Sequence, residues 1–171
     1  WTVTNSFVAT ANCILHSGYK IDFIDIDNNT WNISLEKLEE KLLKAKKSKK
    51  LPKAVIVVHL GGLPVDPIKL KYLAIKYKFK IIEDAAHSIG SKYYNKKVGS
   101  CKWSDMSIFS FHPVKIITTG EGGCVTTNNK EYYERMKLLR NNGITNESKY
   151  FKNRKLGPWY YEQQLLGFNF R

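Results

Sequence analysis

Two short apolar runs with a helical segment between them restrict this chain more than any other feature. Ala54 to His59 is aliphatic up to its final histidine, the pattern of a strand buried on both faces, and Lys80 to Asp84 (KIIED) reads as a second such strand. Between them, Asp66-Pro67 supplies an N-cap and a first-turn proline, and Leu70, Leu73, Ala74 and Tyr77 keep the i, i+3, i+4, i+7 spacing of one helix face. Apolar runs alternating with amphipathic segments are the signature of an α/β layer architecture.

The same alternation extends in both directions. Ser6 to His16 reads as a helix of small residues stopped at Gly18, and Tyr19 to Ile26 alternates polar and apolar with period two, which predicts a strand. Ser34 is placed to cap a helix whose Leu35, Leu38, Leu42 and Ala45 share a face, with the Lys44 to Lys50 run near its C-terminal end, where the helix dipole favours cations. Further strands are expected at Asp105 to Ser110 and Gly122 to Thr127. A helix is expected over Asn129 to Asn142 on Tyr132, Met136 and Leu139, ending at Gly143. Ile144 to Arg171 is polar and aromatic without a clear period, and neither an internal repeat nor a dividing linker is visible.

Several classes of function fall away. The longest aliphatic stretch, Ala54 to Val58, is far below the ~20 residues of a bilayer span, so no membrane segment is expected. The opening Trp-Thr-Val-Thr-Asn lacks an initiator Met, a basic region and a hydrophobic region; no secretory signal is expected, and the chain reads as part of a longer one. Cys13, Cys101 and Cys124 are scattered with no C-x-x-C pair, which suits a reducing cytoplasm and offers neither a disulfide framework nor a metal site. The formal charge of +13 invites a nucleic-acid reading, but 24 of the 28 cations are Lys, and only Arg135, Arg140, Arg154 and Arg171 could form the planar forks that read phosphates and bases. The charge is also dispersed, since Glu36 to Lys53 and Lys130 to Lys155 each net +5, which describes solvated faces rather than one binding stripe.

Ligands of open α/β sheets gather beyond the carboxyl ends of the strands, so polar residues that follow buried strands are the candidates. Three segments qualify: Glu83 to Ser88, Ser110 to Lys115, and the Gly-rich turn Thr118 to Gly123, which is not a G-x-G-x-x-G fingerprint. The first offers a carboxylate and the second a lysine. A lysine amine with an ordinary pKa near 10.4 is protonated at pH 7, so to act as a nucleophile it needs a desolvating or cationic site, or a carbonyl partner that holds it covalently. Pyridoxal phosphate uses such a lysine together with an acid beside its ring nitrogen.

The strings EDAAHS at 83–88, SFHPVKIITTGEGG at 110–123, SFVATAN at 6–12 and LGFNFR at 166–171 resemble motifs of the DegT/DnrJ/StrS family of pyridoxal-phosphate sugar aminotransferases. The match runs from Ser6 to Arg171, nearly the whole chain, and its version of the lysine motif is similar to the branch that aminates a UDP-linked 4-keto-6-deoxy hexosamine in pseudaminic acid biosynthesis. The resemblance implies the large domain of an aspartate-aminotransferase-like (type I) fold: a mixed, mostly parallel sheet flanked by helices. Residues 1–171 would be the central part of that domain, without the N-terminal phosphate-loop region and the C-terminal small domain.

It also implies roles. Lys115 would bind the cofactor covalently and move the substrate proton, and Asp84 would pair with the pyridinium nitrogen. Phe7 would stack on the ring with Ala86 on its other face, His87 would contact the phenolic oxygen, and Ser110 would bind the phosphate. Asn169 and Arg171 would reach across a homodimer to the partner's cofactor phosphate or substrate. A cytoplasmic enzyme taking a nucleotide sugar and L-glutamate follows, with no nucleic-acid or membrane partner. Relatives that dehydrate carry histidine in place of the lysine, which Lys115 disfavours here. His112 is open to substrate contact or packing, Trp159, Tyr160 and Tyr161 to sugar contact or an apolar cluster, and Glu121 is given no chemical step. Two alternatives stand beside this reading: an aminotransferase for another keto sugar, such as UDP-4-keto-arabinose or a dTDP-linked sugar, and a non-catalytic basic binding protein on the same fold.

Overall fold

The computed structural model describes residues 1–152 and 157–170. They divide into two compact units, Trp1–Asn128 and Asn129–Arg171. The first unit runs β1 (Thr2–Val3), α1 (Val8–His16), β2 (Phe23–Ile24), α2 (Leu35–Lys47), β3 (Ala54–Val58), α3 (Pro67–Tyr77), β4 (Lys80–Asp84), β5 (Lys92–Tyr93), β6 (Lys96–Lys97), β7 (Met106–Ser110) and β8 (Gly123–Thr126). The second runs α4 (Lys130–Arg140), β9 (Ile144–Thr145) and β10 (Glu162–Gln163).

A six-stranded sheet in the order β2-β1-β3-β4-β7-β8 organises the first unit. All neighbours in it are parallel except the last pair, in which β8 returns antiparallel beside β7. Gly123 opens β8 because a β-carbon there would lie 2.7 Å from the Phe109 carbonyl oxygen, closer than a side chain can sit. The sheet is therefore mixed and mostly parallel, as expected.

Helices α2 and α3 cover one face of the sheet. Ser34 caps α2 by accepting from the Lys37 N–H, and Asp66 caps α3 by accepting from Ile68 and Lys69, with Pro67 in the first turn. Leu35, Leu38, Leu42 and Ala45 of α2 and Leu70, Leu73, Ala74 and Tyr77 of α3 are all buried, and most of them join Val55, Val57 and Ile81 of the sheet in one core. Each fully buried Leu there contributes about 1.5–3 kcal/mol of transfer free energy, so this face holds most of the unit's stability.

Three local expectations shift. The strand expected over Tyr19 to Ile26 forms only at Phe23–Ile24, against β1, with a single antiparallel bridge from Ile26 to Ile33 beyond it. Around it the Asp22 and Asp25 carboxylates accept from the N–H groups of Phe23 and Ile26, and the Asp27 carboxylate takes those of Asn29 and Thr30, so local side-chain bonds displace ladder pairing. Helix α1 begins at Val8 rather than Ser6, with Phe7 as an extended N-cap residue whose side chain caps nothing. Thr2–Val3, not anticipated as a strand, inserts between β2 and β3.

In the second unit Asn129 caps α4 through its side chain, and Gly143 follows the helix at φ 70°, where a β-carbon would strike the Leu165 carbonyl. β9 and β10 pair antiparallel. Among the described residues no helix is long and apolar enough to cross a membrane.

Candidate active site

Alternation along β4 sends Glu83 and Asp84 to opposite faces of the sheet. Val57 and Ser107 flank Glu83 in register, and Val58 and Ile108 flank Asp84. Glu83 thus shares the face of α2 and α3, while Asp84 faces α1. The Asp84 carboxylate is half-buried and held at both oxygens: Oδ2 accepts from the Thr10 hydroxyl at 2.7 Å, and Oδ1 from the Ala86 N–H at 3.2 Å. Thr10 is the one buried residue of α1. A carboxylate oxygen accepts two bonds, so each keeps a lone pair for a ligand.

The chain turns directly after Asp84. Ser88 closes the turn by donating its N–H to the Ala85 carbonyl at 3.0 Å, leaving Ala86 half-buried and His87 exposed. On the neighbouring strand β7, Ser110 is the last residue and its hydroxyl accepts the His112 N–H at 3.4 Å. The Lys115 N–H then donates to the His112 carbonyl at 2.9 Å, which folds residues 112–115 into a turn beyond the strand end. Phe111 anchors the rest of the loop: its carbonyl accepts from the Thr118 hydroxyl at 2.9 Å and the Thr119 N–H at 3.1 Å, and its N–H donates to Gly122 at 2.9 Å. Lys115 is half-buried within this loop, whereas His112 and Glu121 are exposed.

Asp84 therefore ends β4 with Ala86 and His87 after it, and Ser110 and Lys115 end or follow its parallel neighbour β7, all at the carboxyl edge of the sheet. Phe7 joins them from α1. It lies three residues before Thr10, its carbonyl accepts the Thr10 N–H at 3.0 Å, and its ring is 77% exposed, free of the core. An anion held by two donors, a primary amine, a hydroxyl and an open aromatic ring suit a flat, cationic nitrogen heterocycle bearing a carbonyl and an anionic tail.

Asn169 belongs to the second unit, where it is exposed and bridges Asn141 through the backbone. Arg171 lies outside the described residues. In the same unit Tyr160 packs edge-on against Phe151 (5.1 Å) and Trp159 (5.9 Å), forming an aromatic cluster of that unit.

Sequence reasoning passed over Thr10, although a polar β-branched residue three positions from Phe7 on a small-residue helix marks it. It also gave no role to Glu83, a charge inside a buried strand and so a residue that demands partners. Those partners exist. The Ser107 hydroxyl donates to Glu83 Oε2, and His59 Nε2 lies 3.6 Å from Oε1. Burial opposes ionisation of Glu83, but His59, Ser107 and Ser104 outweigh it and hold the carboxyl below the usual carboxylate range.

A model of the DegT/DnrJ/EryC1/StrS aminotransferase family matches residues 2–171. A UDP-4-amino-4,6-dideoxy-N-acetyl-beta-L-altrosamine transaminase of Campylobacter jejuni is 45% identical over 170 residues, which are 99% of this chain and 41% of that protein. The solved structure of Helicobacter pylori PseC, described as an aminotransferase of pseudoaminic acid biosynthesis, superposes with a TM-score of 0.83 at 38% identity, covering 99% of this chain and 41% of its own. A putative sugar aminotransferase from Streptococcus pneumoniae in its PMP form gives a TM-score of 0.80 at 25% identity, covering 98% and 45%. The chain thus spans about two fifths of the length of these relatives.

Proposed function

This chain belongs to the DegT/DnrJ/EryC1/StrS aminotransferase family, and from that membership we propose that it forms part of a pyridoxal-phosphate-dependent sugar aminotransferase. The proposed reaction moves the amino group of L-glutamate, leaving 2-oxoglutarate, onto the keto carbon of a UDP-linked 4-keto-6-deoxy hexosamine in pseudaminic acid or related surface-glycan biosynthesis. The enzyme is read as a cytoplasmic homodimer with shared sites, to which Asn169 and Arg171 contribute at the partner's cofactor phosphate or substrate.

The observation that carries the reading is that Asp84 ends β4 while Lys115 lies beyond the end of its parallel neighbour β7. When bound, pyridoxal phosphate supplies an electron-withdrawing ring that takes up the electron pair released as a C–H bond breaks at the amine-bearing carbon. The chain's own residues do the rest. Asp84, anchored by Thr10 and Ala86, keeps a negative charge against the ring nitrogen and so holds that nitrogen protonated. Phe7 and Ala86 would hold the ring between them, His87 would meet its phenolic oxygen, and Ser110 would take its phosphate. Lys115 would hold the cofactor between turnovers and carry the proton off and back onto the substrate carbon.

Borohydride reduction of the full-length protein with pyridoxal phosphate tests this directly. A pyridoxyl adduct on Lys115, and loss of the visible absorbance band in Lys115→Ala, are the expected results; an adduct on another lysine, or an unchanged band in the variant, overturns the assignment. Release of 2-oxoglutarate from L-glutamate against UDP- and dTDP-linked keto sugars, UDP-4-keto-arabinose included, then tests the substrate. Turnover confined to a dTDP sugar or to the arabinose derivative would replace the hexosamine.

A further inference from the structure

On the face of the sheet away from Asp84, three consecutive strands are joined by side chains at one level. Ser107 of β7 donates its hydroxyl to Glu83 Oε2 in β4, and His59, the first residue after β3, brings Nε2 to 3.6 Å from Glu83 Oε1. His59 is buried to 2% exposure and Ser107 fully, and the Glu83 side chain between them keeps 12%. His59 Nδ1 accepts the Val65 N–H at 3.2 Å, so the ring's proton sits on Nε2, which at 3.6 Å faces the carboxylate electrostatically without completing a hydrogen bond. The proposed chemistry uses none of these groups, yet a carboxylate largely withdrawn from water is retained only where neighbouring polar groups offset its lost hydration.

The level of this junction is the level of Asp84. The His59 N–H donates to the Asp84 carbonyl at 3.1 Å, and the Ala85 N–H donates to the Ile108 carbonyl at 2.8 Å. The peptide after Asp84 is thus tied to β3 on one side and β7 on the other, the two strands that the Glu83 carboxylate links from behind. β7 in turn carries Ser110 and leads into the Lys115 turn. We propose that Glu83, with His59 and Ser107, is a positioning residue that sets the height of Asp84 relative to the β7 end from the opposite face of the sheet.

The inference rests on Asp84 serving the cofactor ring, and its test is read only where wild-type protein has given the Lys115 adduct, so the two readings fail separately. The variants are Glu83→Ala, Glu83→Gln and Ser107→Ala in the full-length protein. The measurements are the dissociation constant of pyridoxal phosphate from the visible band, kcat, and KM for the sugar nucleotide. Displacing a reacting group by about 1 Å costs up to a hundredfold, so Glu83→Ala is expected to weaken cofactor binding and lower kcat by about ten- to a hundredfold while KM holds. Glu83→Gln keeps an acceptor for His59 and, with the Ser107 hydroxyl turned to accept, a donor for Ser107; it is expected to restore most of both. Ser107→Ala, at a site that already holds a small side chain, is expected to move both in the same direction by less, and it decides the matter if Glu83→Ala does not fold. Wild-type cofactor binding and kcat in folded Glu83→Ala or in Ser107→Ala, or a loss that glutamine does not restore, overturns the proposal.

Discussion

Asp84 is the residue on which the candidate site turns, and its charge can be read without any cofactor. Cys13 lies one helical turn beyond Thr10 and donates its thiol to the Thr10 carbonyl at 3.2 Å. Burial first, and then the negative charge of Asp84, push its thiol above the ordinary range. The thiolate is the form that alkylates, so Cys13 should react slowly with iodoacetamide at pH 8. Removing the charge in Asp84→Asn lowers the thiol pKa, raises the thiolate fraction and speeds alkylation at Cys13, while Cys124, whose thiol is raised by burial alone, keeps its rate. Site-resolved mass spectrometry over a time course measures both; an unchanged Cys13 rate would mean that Asp84 carries no charge felt at α1. The sequence made Asp84 and Lys115 legible because one ends and the other follows an apolar strand, where an α/β sheet opens to ligands. Thr10 and Glu83 each carried a local mark, but their meaning lies in partners 74 and 24 residues away, which such marks do not name.

At the scale of the element, legibility followed burial. The faces expected for α2 and α3 are the faces found, residue for residue, because both helices press a continuous stripe onto one side of the sheet. Where burial is thin, pattern gave way to local bonding: Tyr19 to Ile26 alternates over eight residues, but its strand β2 sits at the sheet edge, and aspartate carboxylates take the N–H groups of Phe23 and Ile26. The caps of the two buried helices are correspondingly testable. Asp66→Ala leaves the N–H groups of Ile68 and Lys69 without their acceptor, and Ser34→Ala does the same for Lys37. Each is expected to cost about 1 kcal/mol in urea denaturation, with Asp66→Asn close to wild type. A loss in Asp66→Asn as large as that in Asp66→Ala would show that the carboxylate charge, rather than the cap bond, supports α3.

Across the whole molecule, stability and chemistry occupy different faces of one sheet. The α2 and α3 side holds the packed core, whereas the Asp84 side keeps Ile108 and Phe7 open, as a surface that receives ligand requires. The two compact units differ in the same way. β3 and β4 are central strands paired on both edges, with Val55, Val57 and Ile81 at 1% exposure or less, while α4 has no buried residue along its eleven positions. Local opening is easiest where few apolar contacts must break, so native-state hydrogen exchange should rank the amides of β3 and β4 slowest. Those of α4 should exchange through smaller openings, well below the global unfolding free energy. The difference should persist as denaturant is added: β3 and β4 follow the steep dependence of global unfolding, and α4 the shallow one of a local event. Were α4 to exchange as slowly as β3 and with the same steep dependence, the two units would open together, and the sheet core would no longer be the separate source of the chain's stability.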